Sequence, residues 1–411
     1  MRKLHRLQKA NPRVIILRAM RLNLHRLKAP VWLRPYLNSP RFKTLRQALG
    51  RAVTLFLTIE PLWAMIAATF VFLSYLLNLN TVLPWIGLGL VFLPFPLRLI
   101  SQGTLRVGTP FDLSLALLMA GALVGLCISP DHTISLGAFQ CMLALSLLYY
   151  SWSNYPHPAI LLKCLIPLCT LGILVAFLLA LFDLPHLSSQ PNFVLGGTGT
   201  HHGLAVSLII VIAILAGITA FGRTTRVRLL VAAICLLFFI TALVLTHESL
   251  KSLVTGESVR GRTPIWHDTI DRLKDSPLSG LGLGCWAFTY MNHYGNTDFT
   301  AGITHAHNAY LELYSNTGFL GALALLVSLV IAGKLGLDII RSPRNGPWYG
   351  FGIGVLLACV ATLLVGIVES APIGVPLVAG NTYYYILSPI PWILMGLLVI
   401  AHRLQCAPGK L

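Results

Sequence analysis

The sequence predicts an all-α polytopic membrane protein with about ten transmembrane helices and one large loop on the outer face, between the seventh and eighth spans. The apolar parts of 183–202 and 369–382 are not counted among the ten. Three observations predict this class. The 411 residues are 56% apolar and 10% charged, where soluble domains carry about 25% charged residues. Apolar runs long enough to cross a bilayer recur along most of the chain. The cations gather on alternate connections between those runs. A soluble globule, a disordered chain and a small disulfide scaffold are all excluded, the last because 8 cysteines are sparse for this length.

The runs fall at approximately 57–78, 81–99, 111–129, 133–151, 158–182, 203–221, 229–246, 309–333, 348–368 and 383–401. In hydrocarbon every backbone amide must be bonded internally, so these runs are helices, and the short-period alternation of an outer-membrane barrel is missing. With the N-terminus inside, the inner segments are 1–51, 98–110, 152–163, 222–228, 334–347 and 402–411, and they hold 25 of the 30 Lys and Arg. Every short loop therefore obeys the positive-inside rule. One span more or fewer would reverse everything after it. The organisation that follows is a basic cytoplasmic tail (1–51), a membrane bundle (52–246), an outer loop (247–308), a second membrane bundle (309–401) and a cytoplasmic C-terminal tail (402–411).

The formal charge of +17 comes largely from the first tail, which carries 14 cations, so no nucleic-acid partner is needed to explain it. Val14, Ile15, Leu17, Leu22, Leu24 and Leu27 alternate there with Arg13, Arg18, Arg21, Arg26 and Lys28. That pattern suits an amphipathic segment lying on membrane lipids, each cation worth about 1 kcal/mol near anionic headgroups; a plain topology anchor is the other reading. The cationic stretch is too long for the n-region of a signal peptide. No CxxC or Cys/His ligand spacing appears, so neither a disulfide framework nor a zinc site is expected.

The outer loop keeps Lys251, Arg260, Arg262, Arg272 and Lys274 against the positive-inside bias. An anionic ligand is the physical reason for cations in that place. Gly261 to Trp266 reads as a turn delivering a guanidinium, followed by an amphipathic helix with Thr263 as N-cap and Pro264 at its first position. Arg262 beside the unbonded first amides would cradle an anion. Alternatively, Arg260 and Arg262 pair with lipid phosphates. The alternating glycines of Pro277–Gly284 permit a tight connection with φ > 0, and no βαβ unit surrounds them to suggest a dinucleotide loop. Thr304-His305-Ala306-His307-Asn308 leads straight into the span 309–333. A histidine at that boundary can be neutral and take a proton, or these residues simply cap the helix. His305 and His307 with Glu312 make poor zinc chemistry, and no metal is expected.

His307-Asn308, nine residues, Gly318, two residues and Gly321 resemble the His-[Asn/Ser/Gln]-x9-Gly-x-x-[Gly/Thr/Tyr] signature of bacterial O-antigen ligases. Gly261–Trp266 and Pro277–Gly284 are similar to the loop ahead of it in the wider superfamily of O-antigen ligases and polymerases, and the likeness covers roughly 190–370. The resemblance implies a glycosyltransferase of the bacterial inner membrane with a large periplasmic loop, acting in lipopolysaccharide biosynthesis without nucleotide sugar, cofactor or metal. Members of the family often have twelve spans, so against that pattern either two are missing here or the apolar parts of 183–202 and 369–382 include re-entrant pieces. The donor is a glycan on undecaprenyl pyrophosphate. The acceptor is a sugar hydroxyl on lipid A–core or, in a polymerase, a second lipid-linked repeat unit. It implies that Arg262 binds the pyrophosphate and His307 activates the acceptor hydroxyl; Arg260, His305 and Asn308, beside them in the sequence, are expected as further substrate contacts. The arginine that the family carries ahead of the span beginning near 203 is absent here; His201 and His202 stand in its place and would contact phosphate when protonated.

These roles match what the reaction needs. Charge building on a leaving pyrophosphate is stabilised by an arginine in a poorly hydrated site. A neutral imidazole that takes the attacking hydroxyl's proton is worth about 10²–10⁴-fold. The complete His-Asn-x9-Gly-x-x-Gly match favours a ligase over a polymerase. A small-anion transporter, the rival from another class, would carry charge at mid-membrane depth, whereas Glu60, Lys163 and Glu369 all lie near span ends.

Overall fold

The computed structural model of the chain describes residues 40–76, 82–102, 108–162, 200–221, 257–294, 305–368, 370, 374–379 and 382–406. The basic tail to residue 39, the predicted spans 158–182 beyond residue 162 and 229–246, and loop residues 247–256 and 295–304 lie outside the described residues.

Where they are described, the predicted apolar runs are helical apart from the first residues of the tenth, with breaks where the sequence withdraws a backbone donor. Helix α1 (Pro40–Thr58) meets α2 (Glu60–Leu76) at a 71° bend, where Pro61 has no N–H to offer the preceding turn. Helix α3 (Leu83–Phe92) passes into α4 (Pro94–Gln102) at a second proline. Helix α5 (Asp112–Cys127) and α6 (His132–Ser153) form a tight pair; the Asp131 carboxylate caps α6 by accepting from Thr133 and Ile134 N–H at 2.8 and 3.1 Å. Then follow α7 (Thr200–Phe221), α8 (Glu257–Asp275), α9 (Trp286–Tyr294), α10 (Ala309–Arg341) and α11 (Tyr349–Gly366). Strands β1 (Gly374–Ala379) and β2 (Thr382–Leu387) pair antiparallel, Gly374 opposite Leu387, ahead of α12 (Ile390–Cys406).

Among the described residues, α6, α10 and α11 are long and apolar enough to cross a membrane, and the bent pair α1–α2 makes a fourth span if counted as one. The tenth apolar run divides differently from its predicted limits of 383–401. Its first residues, Thr382-Tyr-Tyr-Tyr-Ile-Leu, form β2, as β-branched and aromatic residues favour, and the helix starts at Ile390. The main core lies between α2, α5, α6, α10, α11 and α12 and buries Val71, Phe111, Leu145, Tyr149, Val355 and Ile400. Leu55, Leu113, Val330 and Leu364 stand more than half exposed on the outside, a surface suited to hydrocarbon.

The bundle has two distinct polar ends. One gathers the end of α5, the start of α6, the glycine-rich connection between α8 and α9, the start of α10 and the end of α11: Leu283 N–H donates to Gly125 O at 3.2 Å, and Asn308 donates to Ile367 O. The other gathers the starts of α2 and α11 and the ends of α4, α6, α7, α10 and α12, through Arg98 on Glu60, Phe221 against Tyr349, Arg403 on Ser153 O and Gln405 on Ser342. Helix α7 runs antiparallel to α11, with Gly217 against Gly350 and Gly354 and Ile210 against Ala358.

Candidate functional site

The site is built where α10 begins. Asn308 is its N-cap: the side-chain oxygen accepts from Tyr310 and Leu311 N–H, both at 3.0 Å, while its Nδ2 donates to Ile367 O at 2.9 Å. Its own N–H donates to Ser370 Oγ at 3.0 Å. One residue is thus helix cap and clamp to the end of α11. His307, just before it, has φ 50° and is the one non-glycine residue with positive φ among the described residues. Holding that left-handed conformation costs on the order of 1 kcal/mol, so the surroundings must impose it. The His305 and His307 rings are tilted at 43° to one another, centroids 3.9 Å apart.

Arg262 reaches the same place from another element. Its Nη1 donates to Val368 O, next to the carbonyl that Asn308 holds. Helix α8, which carries it, is locked on by a small core of its own: Ile265, Trp286, Ala287, Tyr290 and Ala306. Trp286 stacks on Tyr290 at 4.6 Å and donates to Thr269 Oγ1 at 3.1 Å. Because Ala306 lies between the two histidines, this core joins the arginine's helix to the histidine turn.

The local structure around Arg262 departs from the sequence expectation. Helix α8 begins at Glu257, and Pro264 is inside it, so Thr263 is not the N-cap and Arg262 does not stand beside unbonded first-turn amides. Pro264 is exposed and merely deprives the Arg260 carbonyl of its donor. The other cations of α8 are partly matched. Lys274 binds Asp271 at 2.6 Å and holds that carboxyl below its usual range, and Arg272 lies 3.6 Å from Asp275. Arg260 is exposed. His201 and His202 fall in the first turn of α7, at the end of the bundle where α11 finishes; their side chains lie outside the description. Among the described residues no three His, Cys, Asp or Glu side chains gather as a metal cluster.

The glycines of the signature have a geometric cause. Gly318 sits at φ 60°, ψ −155°, breaking α10, a backbone region open essentially to glycine alone. The connection Pro277–Gly284 fills the break: Phe319 N–H donates to Leu278 O at 3.1 Å, and Leu281 N–H donates to Ser315 O at 2.7 Å. A Cβ on Gly318 would lie 2.2 Å from Leu278 O. Helix α5 closes in from the far side, where a Cβ on Gly125 would lie 2.4 Å from Asn316 O.

The sequence reading weighed Glu312 only as a poor metal ligand and passed over Asn316. Glu312 is fully buried, and its Oε2 accepts the Ala306 N–H at 3.0 Å. Asn316 accepts the Gly284 N–H at 2.7 Å. The signal was present: Asn308, Glu312 and Asn316 are spaced by four and share one helix face. Below them an apolar cleft runs between α5, α6, α10, α11 and α12, from Ala309 and Tyr310 down to Trp392 and Leu398.

Residues 187–326 match the family model described as O-antigen ligase. No curated protein matches the chain. The matched stretch holds Arg262, His307, Asn308, Gly318 and Gly321, while their anchor at 367–370 lies beyond it. Its apolar helices and the signature built into the broken α10 agree with that match, and residues 187–326 of this membrane protein are similar to O-antigen ligases.

Proposed function

We propose that the chain is a metal-independent glycosyltransferase of the bacterial inner membrane, moving a glycan from undecaprenyl pyrophosphate to a sugar hydroxyl on lipid A–core. The observation that carries this reading is the shared anchor: Arg262 and the histidine turn are tied to adjacent carbonyls, Val368 and Ile367. A phosphate-binding fork and a proton acceptor are thereby kept at one place.

In the reaction, the acceptor oxygen forms a bond to the anomeric carbon as the bond from that carbon to the pyrophosphate oxygen breaks. His307 takes the hydroxyl proton, and the electron pair leaves with the lipid pyrophosphate, whose growing charge Arg262 stabilises. His201 and His202, when protonated, add a second positive contact, and Arg260, His305 and Asn308 line the approach. The apolar cleft that starts at Ala309 and Tyr310 supports a donor with a long hydrocarbon chain, because such a tail can lie beside the turn that handles its headgroup.

The topology proposed is ten spans with both termini cytoplasmic and 247–308 periplasmic. It is supported by the gathering of the ends of α4, α6, α7, α10 and α12 at the end of the bundle opposite the histidine turn. The test is transfer by purified protein supplied with undecaprenyl-pyrophosphate glycan and either lipid A–core or a second lipid-linked unit. Glycan joined to lipid A–core supports the proposal. A lengthened lipid-linked chain instead makes the protein a polymerase, and no transfer with either acceptor, from protein that binds donor, removes the enzymatic reading.

A further inference from the structure

We infer that Glu312 is the positioning residue of His307: its buried carboxylate holds the turn that presents the imidazole. The inference rests on the reading of His307 as the group that takes the acceptor's proton. Glu312 is 0% exposed, and its Oε2 accepts the N–H of Ala306, itself fully buried, from the peptide between the two histidines. One residue further on, His307 enters its left-handed conformation at φ 50°. The hydrogen bond therefore fixes the His305–Ala306 peptide, one link before the residue that carries the imidazole.

Helix α10 has no need of this carboxylate for its own start. In a capping box an acidic residue at the third helical position returns to the N–H of the cap. Here the cap is Asn308, its N–H goes to Ser370 Oγ, and its side chain already serves Tyr310 and Leu311. Glu312, at the fourth position, passes over the cap and bonds two residues before it. A charge-assisted acceptor is about twice as strong as a neutral one. Such strength suits a turn that must keep an unfavourable φ. The other carboxylate oxygen faces Asn316 Nδ2 at 3.5 Å, and Asn316 accepts from Gly284 N–H at 2.7 Å. The same line of contacts thus ties the histidine turn to the glycine-rich connection.

The experiment measures kcat and KM for the lipid-linked donor across pH, using the full chain in lipid nanodiscs, for wild type, Glu312→Leu, Glu312→Gln and His307→Ala. Leucine matches the volume and removes the acceptor; glutamine retains an oxygen that can take the Ala306 N–H. Glu312→Leu is expected to lower kcat about 100-fold, as a small misplacement of a reacting group does, with donor KM within about threefold because binding is not its role. Glu312→Gln is expected to recover kcat to within about tenfold of wild type. A Glu312→Leu protein with kcat near wild type, while His307→Ala is inactive, overturns the inference and leaves the proposed chemistry standing. Equal losses in the two Glu312 variants with a raised KM overturn it too, since a general packing role would act that way. Full activity in His307→Ala removes the proton acceptor and the positioning role together.

Discussion

The two ends of the bundle each bury a glutamate, and they use it differently. At the end away from the histidine turn, Glu60 accepts from Arg98 Nε at 2.7 Å and from Ser151 at 2.9 Å. Both partners of the ion pair are under 10% exposed. Three helices, α2, α4 and α6, are pinned there by a matched charge. At the other end Glu312 accepts from a backbone amide within a loop. The contrast separates two jobs: a carboxylate that grips a guanidinium and a serine on two other helices fixes how helices cross, while one that accepts a loop peptide N–H shapes that loop. Stability should reside mainly at the first end and activity at the second.

The sharpest way to break that division is at the site itself. His307→Ala and Arg262→Ala are each expected to reduce glycan transfer by at least about 10²-fold with membrane insertion unchanged, and His305→Ala should be milder; an assay on purified protein reads all three. Next in size, Arg98→Met leaves the Glu60 carboxylate buried without its cation, which costs about 3–5 kcal/mol. Thermal unfolding in detergent should show this loss, and whatever protein remains folded should transfer glycan at the normal rate. A normal melting temperature with lost activity would reverse the assignment of the two ends.

Smaller effects sharpen the picture. Gly318→Ala forces a side chain into a left-handed residue 2.2 Å from Leu278 O, and is expected to cost about 1–3 kcal/mol along with much of the activity, because the glycine-rich connection would be pushed out of the break. Asn308→Ala removes the cap and should cost about 0.5–2 kcal/mol. Asn308→Asp keeps the acceptor for Tyr310 and Leu311 but loses the donor to Ile367, so it should be more stable than the alanine variant and still impaired in transfer. Both comparisons need melting curves and rates on the same preparations.

The sequence made legible whatever is periodic or local. Apolar runs marked most helices, and the alternating glycines marked a connection in which Gly280, Gly282 and Gly284 do take positive φ. His307 and Asn308 were visible from the signature. Less legible was anything decided by packing between distant segments. Thr263-Pro264 reads locally as a helix start, yet the helix continues through it, because Ile265, Thr269 and Leu273 are buried on the face opposite the proline. Gly121 and Gly125, four apart in α5, were unremarked although such spacing lets backbones approach closely; nothing in the sequence told which segment would approach. The hairpin Gly374–Leu387 was hidden because an apolar aromatic run ahead of a helix reads as more helix.

Fastening Arg262 and Asn308 to neighbouring carbonyls has a mechanical corollary. A displacement of Ile367 and Val368 would carry the guanidinium and the imidazole-bearing turn along as a unit, so their mutual spacing survives while their joint distance from the rest of the bundle changes.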